Sequence, residues 1–398
     1  MVLAYIIGLT LLSIFLQSVS CGHTNKTIID SDPTEKARQL VYNFLNETDN
    51  KVIPGLVISV SVKGEQVWLE GFGVANIENN VPMMGNAVMQ VASITKSFTV
   101  GLASRLMQEG KLDFDAPIKD YLPIHQDNPD NKWNHKIANI TLRQLLQMTS
   151  GIPPSSEDDE VDEIGKCLRC KNQTDRLILM RDKQLDFEPG TNFSYSNLGY
   201  ELVGAVIESV LDANKTYDEA MSEMIRNILD LKKTSMVSPE MLIPNIASYY
   251  YFQNETNSLV NSGMWGDVFI NDFHAAGGIM STMTDLVRYG QIWLDAYFGR
   301  SEHFLQQASV KSAWTTSIPS LSSFPYGMGF VIQNATVDTP DNKHVIWHDG
   351  ESFGCSSMLA IYPDTEVIVA ASVNMGERSL TNFILDSHFD DLFANPII

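Results

Sequence analysis

Positive charge is scarce in this 398-residue sequence. Twenty-seven lysines and arginines stand against 48 aspartates and glutamates, which gives a formal net charge of -21 at pH 7. A field of that sign repels phosphate backbones and anionic membrane surfaces, so nucleic acid is not an expected partner. The acidity is typical of a soluble extracellular surface.

Cysteine is scarce as well, with four residues in the chain. Cys167 and Cys170 form a Cys-x-x-Cys pair, whose interpretations are a local disulfide, half of a metal site or a redox pair. No second cysteine pair or suitable histidine pair completes a zinc site, and an oxidising secretory route favours the disulfide. Cys355 is then expected to be buried and free.

Long apolar runs are absent after the first twenty residues, so we expect no transmembrane segment. Residues 1–20 read as a signal peptide, with an apolar run from Val2 to Val19 and with Ser18 and Ser20 at the -3 and -1 positions of a cleavage before Cys21. Asn-x-Ser/Thr sequons begin at Asn25, Asn46, Asn139, Asn172, Asn192, Asn214, Asn254 and Asn334. Together these features predict a secreted, extracellular glycoprotein.

The order of predicted elements places strands at both ends of the chain. Alternation from Val57 to Val62, a Lys-Gly turn and a second apolar stretch to Phe72 predict a hairpin. The four-residue spacing of Ile94, Phe98, Leu102 and Leu106 predicts a helix of about four turns that ends at Gly110. The middle reads as helical at 141–147, 198–210 and 284–297, and strands return at 358–362 and 366–373 before a closing helix near 383–393.

The chemistry begins at Ser93-Ile94-Thr95-Lys96, the only Ser-x-x-Lys in the chain. Residues three apart lie on one face of a helix, so Lys96 can reach the Ser93 hydroxyl and act as the base that a serine nucleophile needs. Backbone N–H groups at a helix start can stabilise an oxyanion. A serine cap followed by a solvated lysine is the ordinary alternative.

Two further segments strengthen the catalytic interpretation. Tyr195-Ser196-Asn197 precedes a predicted helix, and His348-Asp349-Gly350 leads into the late hairpin. With Ser-x-x-Lys these motifs resemble the serine β-lactamase and penicillin-binding-protein superfamily, especially its class C β-lactamase and D-alanyl-D-alanine carboxypeptidase branch. Three longer stretches also resemble this superfamily: TLRQLLQMTSG at 141–151, EPGTNFSYSNLGYELVG at 188–204 and AGGIMSTMTDL at 276–286. The resemblance therefore spans roughly residues 34 to 390 in the correct order.

The resemblance implies roles for seven residues. Ser93 would be the nucleophile, and Lys96 and Tyr195 would share the proton transfers. Asn197 would bind the acyl-side amide of the substrate or hold Lys96. The remaining substrate-binding positions would be His348, Gly350 and Glu351, with the backbone N–H groups of Ser93 and Glu351 forming the oxyanion hole. A lysine beside Tyr195 would lower the pKa of the phenol, although desolvation opposes that shift. No cofactor or metal is required.

The same resemblance implies an α+β fold of the serine β-lactamase/DD-peptidase type. An antiparallel sheet would be built from both chain ends and flanked by helices, with a mostly helical lobe at about 111–340. The hydrolase domain would cover residues 21–398, after the signal peptide at 1–20.

Departures from the family pattern bear on the substrate. His348 replaces a fixed positive charge by one that depends on pH, with an ordinary pKa of roughly 6.5. Asp349 would repel a substrate carboxylate unless its side chain turns away. We therefore expect an ester or a small amide as the acyl substrate rather than a β-lactam antibiotic. Peptidase activity is the second choice.

Two alternatives stay open at this point. Gly350-Glu351-Ser352-Phe353-Gly354 matches the nucleophile elbow of α/β-hydrolases, but the stretch after it reads as a strand where an elbow needs a helix. The chain also resembles secreted animal relatives of the gigasin type in mollusc shell matrix. There the scaffold would be an acidic matrix component, and the six carboxylates between Glu157 and Glu163 would gather calcium weakly.

Overall fold

A computed structural model describes residues 32–46, 53–122, 135–154, 173, 183–238, 241–263, 273–316, 325–334, 343–376 and 378–394. The predicted signal peptide, the Cys167/Cys170 pair and the acidic run 157–163 lie outside these residues. In the described part of the chain, no helix is long and apolar enough to cross a membrane.

The centre of the fold is an antiparallel sheet built from both ends of the chain. Its strands are β1 Gly55–Val62, β2 Glu65–Asn76, β3 Val81–Pro82, β9 Val331–Gln333, β10 Val345–Ser352, β11 Cys355–Tyr362 and β12 Val367–Val373, in the spatial order β3-β2-β1-β12-β11-β10-β9. The predicted hairpin and late strands are confirmed, and the first strand pairs with the last, with Ile58 opposite Ala371. This pairing joins residues more than 300 positions apart into one layer.

Both faces of the sheet are covered by helices. The serine side of β1 is buried as deeply as its aliphatic side, since Ser59 and Ser61 are 0% and 3% exposed. Helix Met283–Tyr297, capped by Thr282, packs on the sheet, and a side chain at Gly290 would collide with Ile368. The alternation in β1 therefore separates a face of large residues from a face of small residues, and neither face is exposed to solvent.

The opposite face is covered by the chain termini. Helix α1 Pro33–Asn46 and helix Phe389–Ala394 contact each other, and Trp68 and Phe72 of β2 form aromatic contacts with them, as in the stacking of Trp68 on Phe393. The predicted closing helix is two helices, Thr381–Asp386 and Phe389–Ala394, separated at His388, whose φ of +51° lies in the left-handed region.

The middle of the chain supplies most of the other helices. They are Thr95–Gln108, His135–Ala138, Leu142–Leu146, Asn197–Ser209, Tyr217–Glu223, His274–Gly277, Met283–Tyr297 and Gln307–Ala313. Short strands β4 Met89–Gln90, β5 Ser235–Met236 and β8 Ile279–Ser281 form a second small sheet, and β6 Tyr250–Gln253 pairs with β7 Ser258–Asn261. The expected α+β class, an antiparallel sheet flanked by helices, is confirmed. The lobe boundaries at about 111–340 stay a prediction.

Helix Thr95–Gln108 is buried on almost every side. Its hydrophobic positions include the predicted Phe98, Leu102 and Leu106, and the polar Lys96, Ser97 and Thr99 are buried as well. The helix ends before Gly110, whose φ of +72° permits the left-handed stop. A helix enclosed in this way brings its first turn, with Lys96, into the interior of the protein.

Candidate active site

Ser93 lies in a short 3-10 turn, Ala92–Ile94, that runs directly into helix Thr95–Gln108. The Lys96 Nζ lies 2.9 Å from the Ser93 Oγ, as the three-residue spacing predicts. Lys96 is 0% exposed, so the ordinary alternative of a solvated lysine is wrong. An amine in contact with a hydroxyl and shielded from water is equipped to take the hydroxyl proton.

The turn is held in place by the late hairpin. Ser357 Oγ of β11 donates to the Val91 carbonyl at 2.9 Å, and a Cβ at Gly350 of β10 would lie 2.1 Å from that same oxygen. The next residue, Ala92, has a φ of +44°, a strained value for a side chain with a Cβ. Gly350 thus permits the close backbone approach that fixes the residue before the nucleophile.

Burial sets the charge state of Lys96. Desolvation lowers the pKa of Lys96 to about 7, and the carboxylates of Glu201 and Asp349 partly oppose this shift. The Nζ also donates to the Ala276 carbonyl at 2.9 Å and lies 4.8 Å from the centre of the Tyr195 ring. At neutral pH a large share of Lys96 is therefore the free amine, which is the form that accepts a proton.

Tyr195 is brought to the same hydroxyl, but its protonation state differs from the expectation. Desolvation raises the pKa of Tyr195 far above its ordinary value, the hydrogen bond to Ser93 lowers it only in part, and Asp349 raises it further. The expected lowering by Lys96 is wrong, because burial dominates and an amine with a pKa near 7 is already neutral at the alkaline pH where a phenol titrates. Tyr195 is a phenol that donates a proton rather than a resting base.

Asn197 is the first residue of helix Asn197–Ser209, which Ser196 caps by accepting from the Gly199 N–H. Its side chain lines a small cleft of about 50 Å³ together with Ser93 and Glu351. The Oδ1 is shielded from solvent and has no hydrogen-bond partner among the described residues, while Lys96 bonds to Ser93 and Ala276 instead. Of its two expected roles, this favours binding a donor on the substrate.

His348, the first residue of the third motif, is 2% exposed. Its Nδ1 contacts the Asp349 carbonyl, which can only accept, so the Nδ1 carries the proton and the Nε2 accepts from Tyr326 Oη at 3.0 Å. Burial, reinforced by Lys96, lowers the pKa of His348 to about 4 against the opposing effect of Asp349. The expectation of a titration near 6.5 is wrong, and the imidazole is neutral at physiological pH.

Asp349 and Glu351 project from the part of β10 that borders the Ser93 turn. β9 pairs only with Val345–Trp347, so the edge of β10 from His348 onward faces the turn and the cleft. Asp349 is half exposed and accepts from Thr381 Oγ1 at 3.2 Å, yet its charge acts on both Lys96 and Tyr195. The carboxylate is thus close enough to influence Lys96 and Tyr195 while it is bonded to Thr381.

The nucleophile-elbow alternative is wrong. Ser352 ends β10 and is followed by a turn and by strand β11, not by a helix. Its hydroxyl donates to Gln90 Oε1 at 3.0 Å and lies 3.1 Å from the Cys355 thiol. Cys355 is buried and free, as expected.

One group in the described chain has ligands spaced for a metal ion, namely His388, Asp390 and Asp391. Lys343 Nζ donates to both carboxylates, at 2.6 Å to Asp390 and 2.7 Å to Asp391. This lysine already supplies the counter-charge that a cation would supply, so the cluster is an ion-pair network between helix Phe389–Ala394 and the segment just before β10.

Sequence reasoning missed Glu201, Tyr326 and the Ala276 carbonyl. Glu201 stands four residues after Asn197, one helical turn along the same face, and this spacing was a signal that could have identified it. Tyr326 and Ala276 carry no comparable signal, because a carbonyl and a distant tyrosine acquire roles only through the fold.

Comparison with known proteins agrees with this fold. The Beta-lactamase family model matches residues 38–381. The mouse serine beta-lactamase-like protein LACTB, mitochondrial, is 26% identical over 415 residues, covering 83% of this chain and 72% of that protein. The octameric penicillin-binding protein homologue of Pyrococcus abyssi superposes with a TM-score of 0.72 at 22% identity, over 88% of this chain and 76% of that one. A D-stereospecific amidohydrolase from Streptomyces superposes with a TM-score of 0.70 at 23% identity, over 88% and 98%.

The burial of Lys96 predicts a gain of stability when it is replaced. Its folded pKa of about 7 is below its ordinary value of 10.5, so the unfolded chain binds more protons and folding is penalised at and below neutral pH. Lys96→Met should raise the free energy of unfolding by about 1 to 3 kcal/mol at pH 7, after the loss of its hydrogen bonds.

The gain in stability should shrink as pH rises from 7 toward 10.5. Over this range the folded amine is already mostly neutral, and the lysine of the unfolded chain gradually loses its extra proton. Urea unfolding of wild type and Lys96→Met at several pH values measures it. The exposed Lys311, changed to Met in the same way, should stay within about 0.5 kcal/mol of wild type at every pH. A Lys96→Met variant less stable than wild type throughout would show that the buried amine is not desolvated.

Proposed function

The chain belongs to the β-lactamase family, and from this premise we propose that it is a serine hydrolase that forms an acyl-enzyme on Ser93. The observation that carries the proposal is the 2.9 Å contact between the Ser93 hydroxyl and the wholly buried Lys96 amine. A serine hydroxyl is a weak nucleophile until a neighbouring base removes its proton. The lowered pKa of Lys96, about 7, makes the neutral amine available for this at physiological pH.

The proposed reaction assigns opposite proton roles to the two neighbours of Ser93. Neutral Lys96 takes the hydroxyl proton as the Ser93 Oγ attacks the substrate carbonyl. The backbone N–H groups of Ser93 and Glu351 stabilise the oxyanion, a contribution that typically amounts to roughly a hundredfold to a thousandfold per donor. Tyr195, protonated at rest, donates its proton to the leaving group and regains one from the Lys96 ammonium. Water then cleaves the ester on Ser93 through the same groups.

The proposed substrate is an ester or a small amide without a carboxylate near the scissile bond. The neutral His348 supplies no positive charge to attract a carboxylate, and the Asp349 carboxylate adds repulsion at the catalytic groups. Asn197 lines the cleft, and its buried Oδ1, unpaired among the described residues, offers an acceptor for a substrate N–H. A D-stereospecific amidohydrolase is among the proteins with this fold, which is consistent with amide substrates.

Labelling with a neutral alkyl fluorophosphonate tests the nucleophile. Ser93→Ala should lose the covalent adduct, at least about a hundredfold in rate, because its base then has no hydroxyl to activate. Intact mass and peptide mapping measure the adduct. Ser352→Ala is the matched control and should label like wild type. An adduct on another residue, or a folded wild type that does not label, would contradict the acyl-enzyme proposal.

Paired substrates that differ only by a carboxylate on the leaving side test the role of Asp349. Asp349→Thr removes a negative charge next to the reacting groups, so the preference for the neutral partner should shrink about threefold to tenfold at low salt and less at high salt. The ratio of kcat/KM for the two partners is the measurement, because a changed pKa of Lys96 affects both equally. An unchanged ratio would remove Asp349 from substrate selection.

We also propose that the chain is secreted and glycosylated, with an acidic matrix role of the gigasin type as the alternative use of the scaffold. All six sequon asparagines among the described residues are exposed: Asn46, Asn139, Asn192, Asn214, Asn254 and Asn334. Exposure is what an oligosaccharide on each of them requires. The high acidity fits weak calcium or matrix association.

Expression of the full chain in animal cells tests this route. We expect the protein in the medium with a mass that falls after N-glycosidase treatment. In Asn192→Gln this fall in mass should be smaller by the mass of one oligosaccharide. The exposed Asn43, which begins no sequon, is the control position. Retention in the cell without glycosidase-sensitive mass would contradict secretion.

A further inference from the structure

The peptide group of Ala276 is bound on both sides by charged side chains. Its N–H donates to Glu201 Oε1 at 2.9 Å, and its carbonyl accepts from Lys96 Nζ at 2.9 Å. Lys96 in turn reaches Ser93 Oγ at 2.9 Å. A continuous path of hydrogen bonds therefore runs from the Glu201 carboxylate through one peptide to the nucleophile.

The segment from Ala275 to Ile279, which contains Ala276, is also held by helix Thr95–Gln108, the helix that follows Ser93. Thr99 Oγ1 donates to the Ala275 carbonyl at 2.6 Å, and Thr95 Oγ1 accepts from the Ile279 N–H at 3.1 Å. A Cβ at Gly204, on the helix of Glu201, would lie 2.8 Å from the Ala275 Cβ, so the two helices approach each other closely. Glu201 thus contacts a segment that has almost no room to move.

Glu201 is 0% exposed, although it is an acid on a helix of otherwise apolar buried residues. A carboxylate is rarely buried unless an opposite charge and hydrogen bonds compensate for its lost hydration. Among the described residues, Lys96 is a cation on which the charge of Glu201 acts, and of the two carboxylates that raise the pKa of Lys96, Glu201 has the larger effect. Glu201 thus supplies a negative charge that favours the protonated form of the amine.

We propose that Glu201 is a positioning residue that orients Lys96 through the Ala276 peptide and sets, by its charge, the pH at which Lys96 becomes a base. The inference rests on the proposed acyl-enzyme function. Glu201 does not touch the substrate in this scheme. It acts because a fixed negative charge behind the amine favours the ammonium, and because the Ala276 carbonyl holds the Nζ beside Ser93.

Other titratable groups also face Lys96 and remain constant in the test. They are Tyr195 and Tyr200, whose rings lie 4.8 and 5.7 Å from the Nζ, with His348 and Asp349 of β10. Asp349 is the second carboxylate that favours the ammonium, so removal of Glu201 alone leaves part of the opposing field in place.

The pH profile of fluorophosphonate labelling tests the charge. Labelling of wild type should rise with pH through the pKa of Lys96, at about 7. Glu201→Gln keeps an oxygen acceptor for the Ala276 N–H but removes the charge, so the rise should move about one pH unit toward acid. Glu201→Asp keeps the charge but is too short to reach Ala276, so its rise should stay near 7 while the rate falls about tenfold.

Glu208→Gln is the matched control, because Glu208 lies two turns along the same helix and also accepts from a backbone N–H, that of Tyr217 at 2.9 Å. Its profile should coincide with wild type. An unmoved Glu201→Gln profile, or an equal shift in Glu208→Gln, would overturn the inference even though wild type labels on Ser93.

Failure of wild type to label would instead remove the acyl-enzyme proposal on which the inference rests. If Glu201→Gln does not fold, the Glu201→Asp profile decides, because a shift of its rise toward acid with the charge retained would contradict the electrostatic role. Far-ultraviolet circular dichroism and melting temperature establish folding of each variant.

Discussion

The removal of water from one amine is the constraint on which the rest of this site depends. Lys96 has no solvent exposure, and desolvation lowers its pKa to about 7. A solvated lysine with its ordinary pKa of 10.5 would be almost wholly charged at neutral pH and unable to accept the proton of a serine. The catalytic potential of Ser93 therefore follows from the burial of its neighbour more than from its own position.

A buried amine needs hydrogen-bond acceptors and packing around it, and the fold supplies these groups from distant segments of the chain. Ala276 supplies a carbonyl, and Tyr195 and Tyr200 supply ring faces. The turn that contains Ala92 is held by the close approach of Gly350 to the Val91 carbonyl. The close approach of the late hairpin to Val91 explains the glycine in the third motif. The cost is strain at Ala92 and a destabilising charge inside the protein, a trade of stability against reactivity that is common at catalytic sites.

The motifs predicted the residues of the candidate site, but their sequence context could not give their protonation states. Ser93, Lys96, Tyr195 and Asn197 are short-range patterns around helix starts, and periodicity placed those helices to within one or two residues. The pKa of Tyr195 and of His348 depends on desolvation by elements from both ends of the chain, so both expectations failed in the same direction, toward the neutral form. Glu201 lies one helical turn after Asn197, but its contact with the Ala276 peptide, 75 residues away along the chain, follows only from the fold.

One physical cause thus produces two complementary groups. Desolvation disfavours any charge, so it drives the amine of Lys96 toward its basic form and the phenol of Tyr195 toward its acidic form. Asp349 favours protonation at both, since a negative charge stabilises the ammonium and opposes the phenolate. A substrate carboxylate at the same place would act in the same direction, withholding the base that attack requires, and would add its own repulsion to that of Asp349. In the proposed function, exclusion of anionic substrates therefore follows from keeping Lys96 near neutrality as well as from direct repulsion in the cleft.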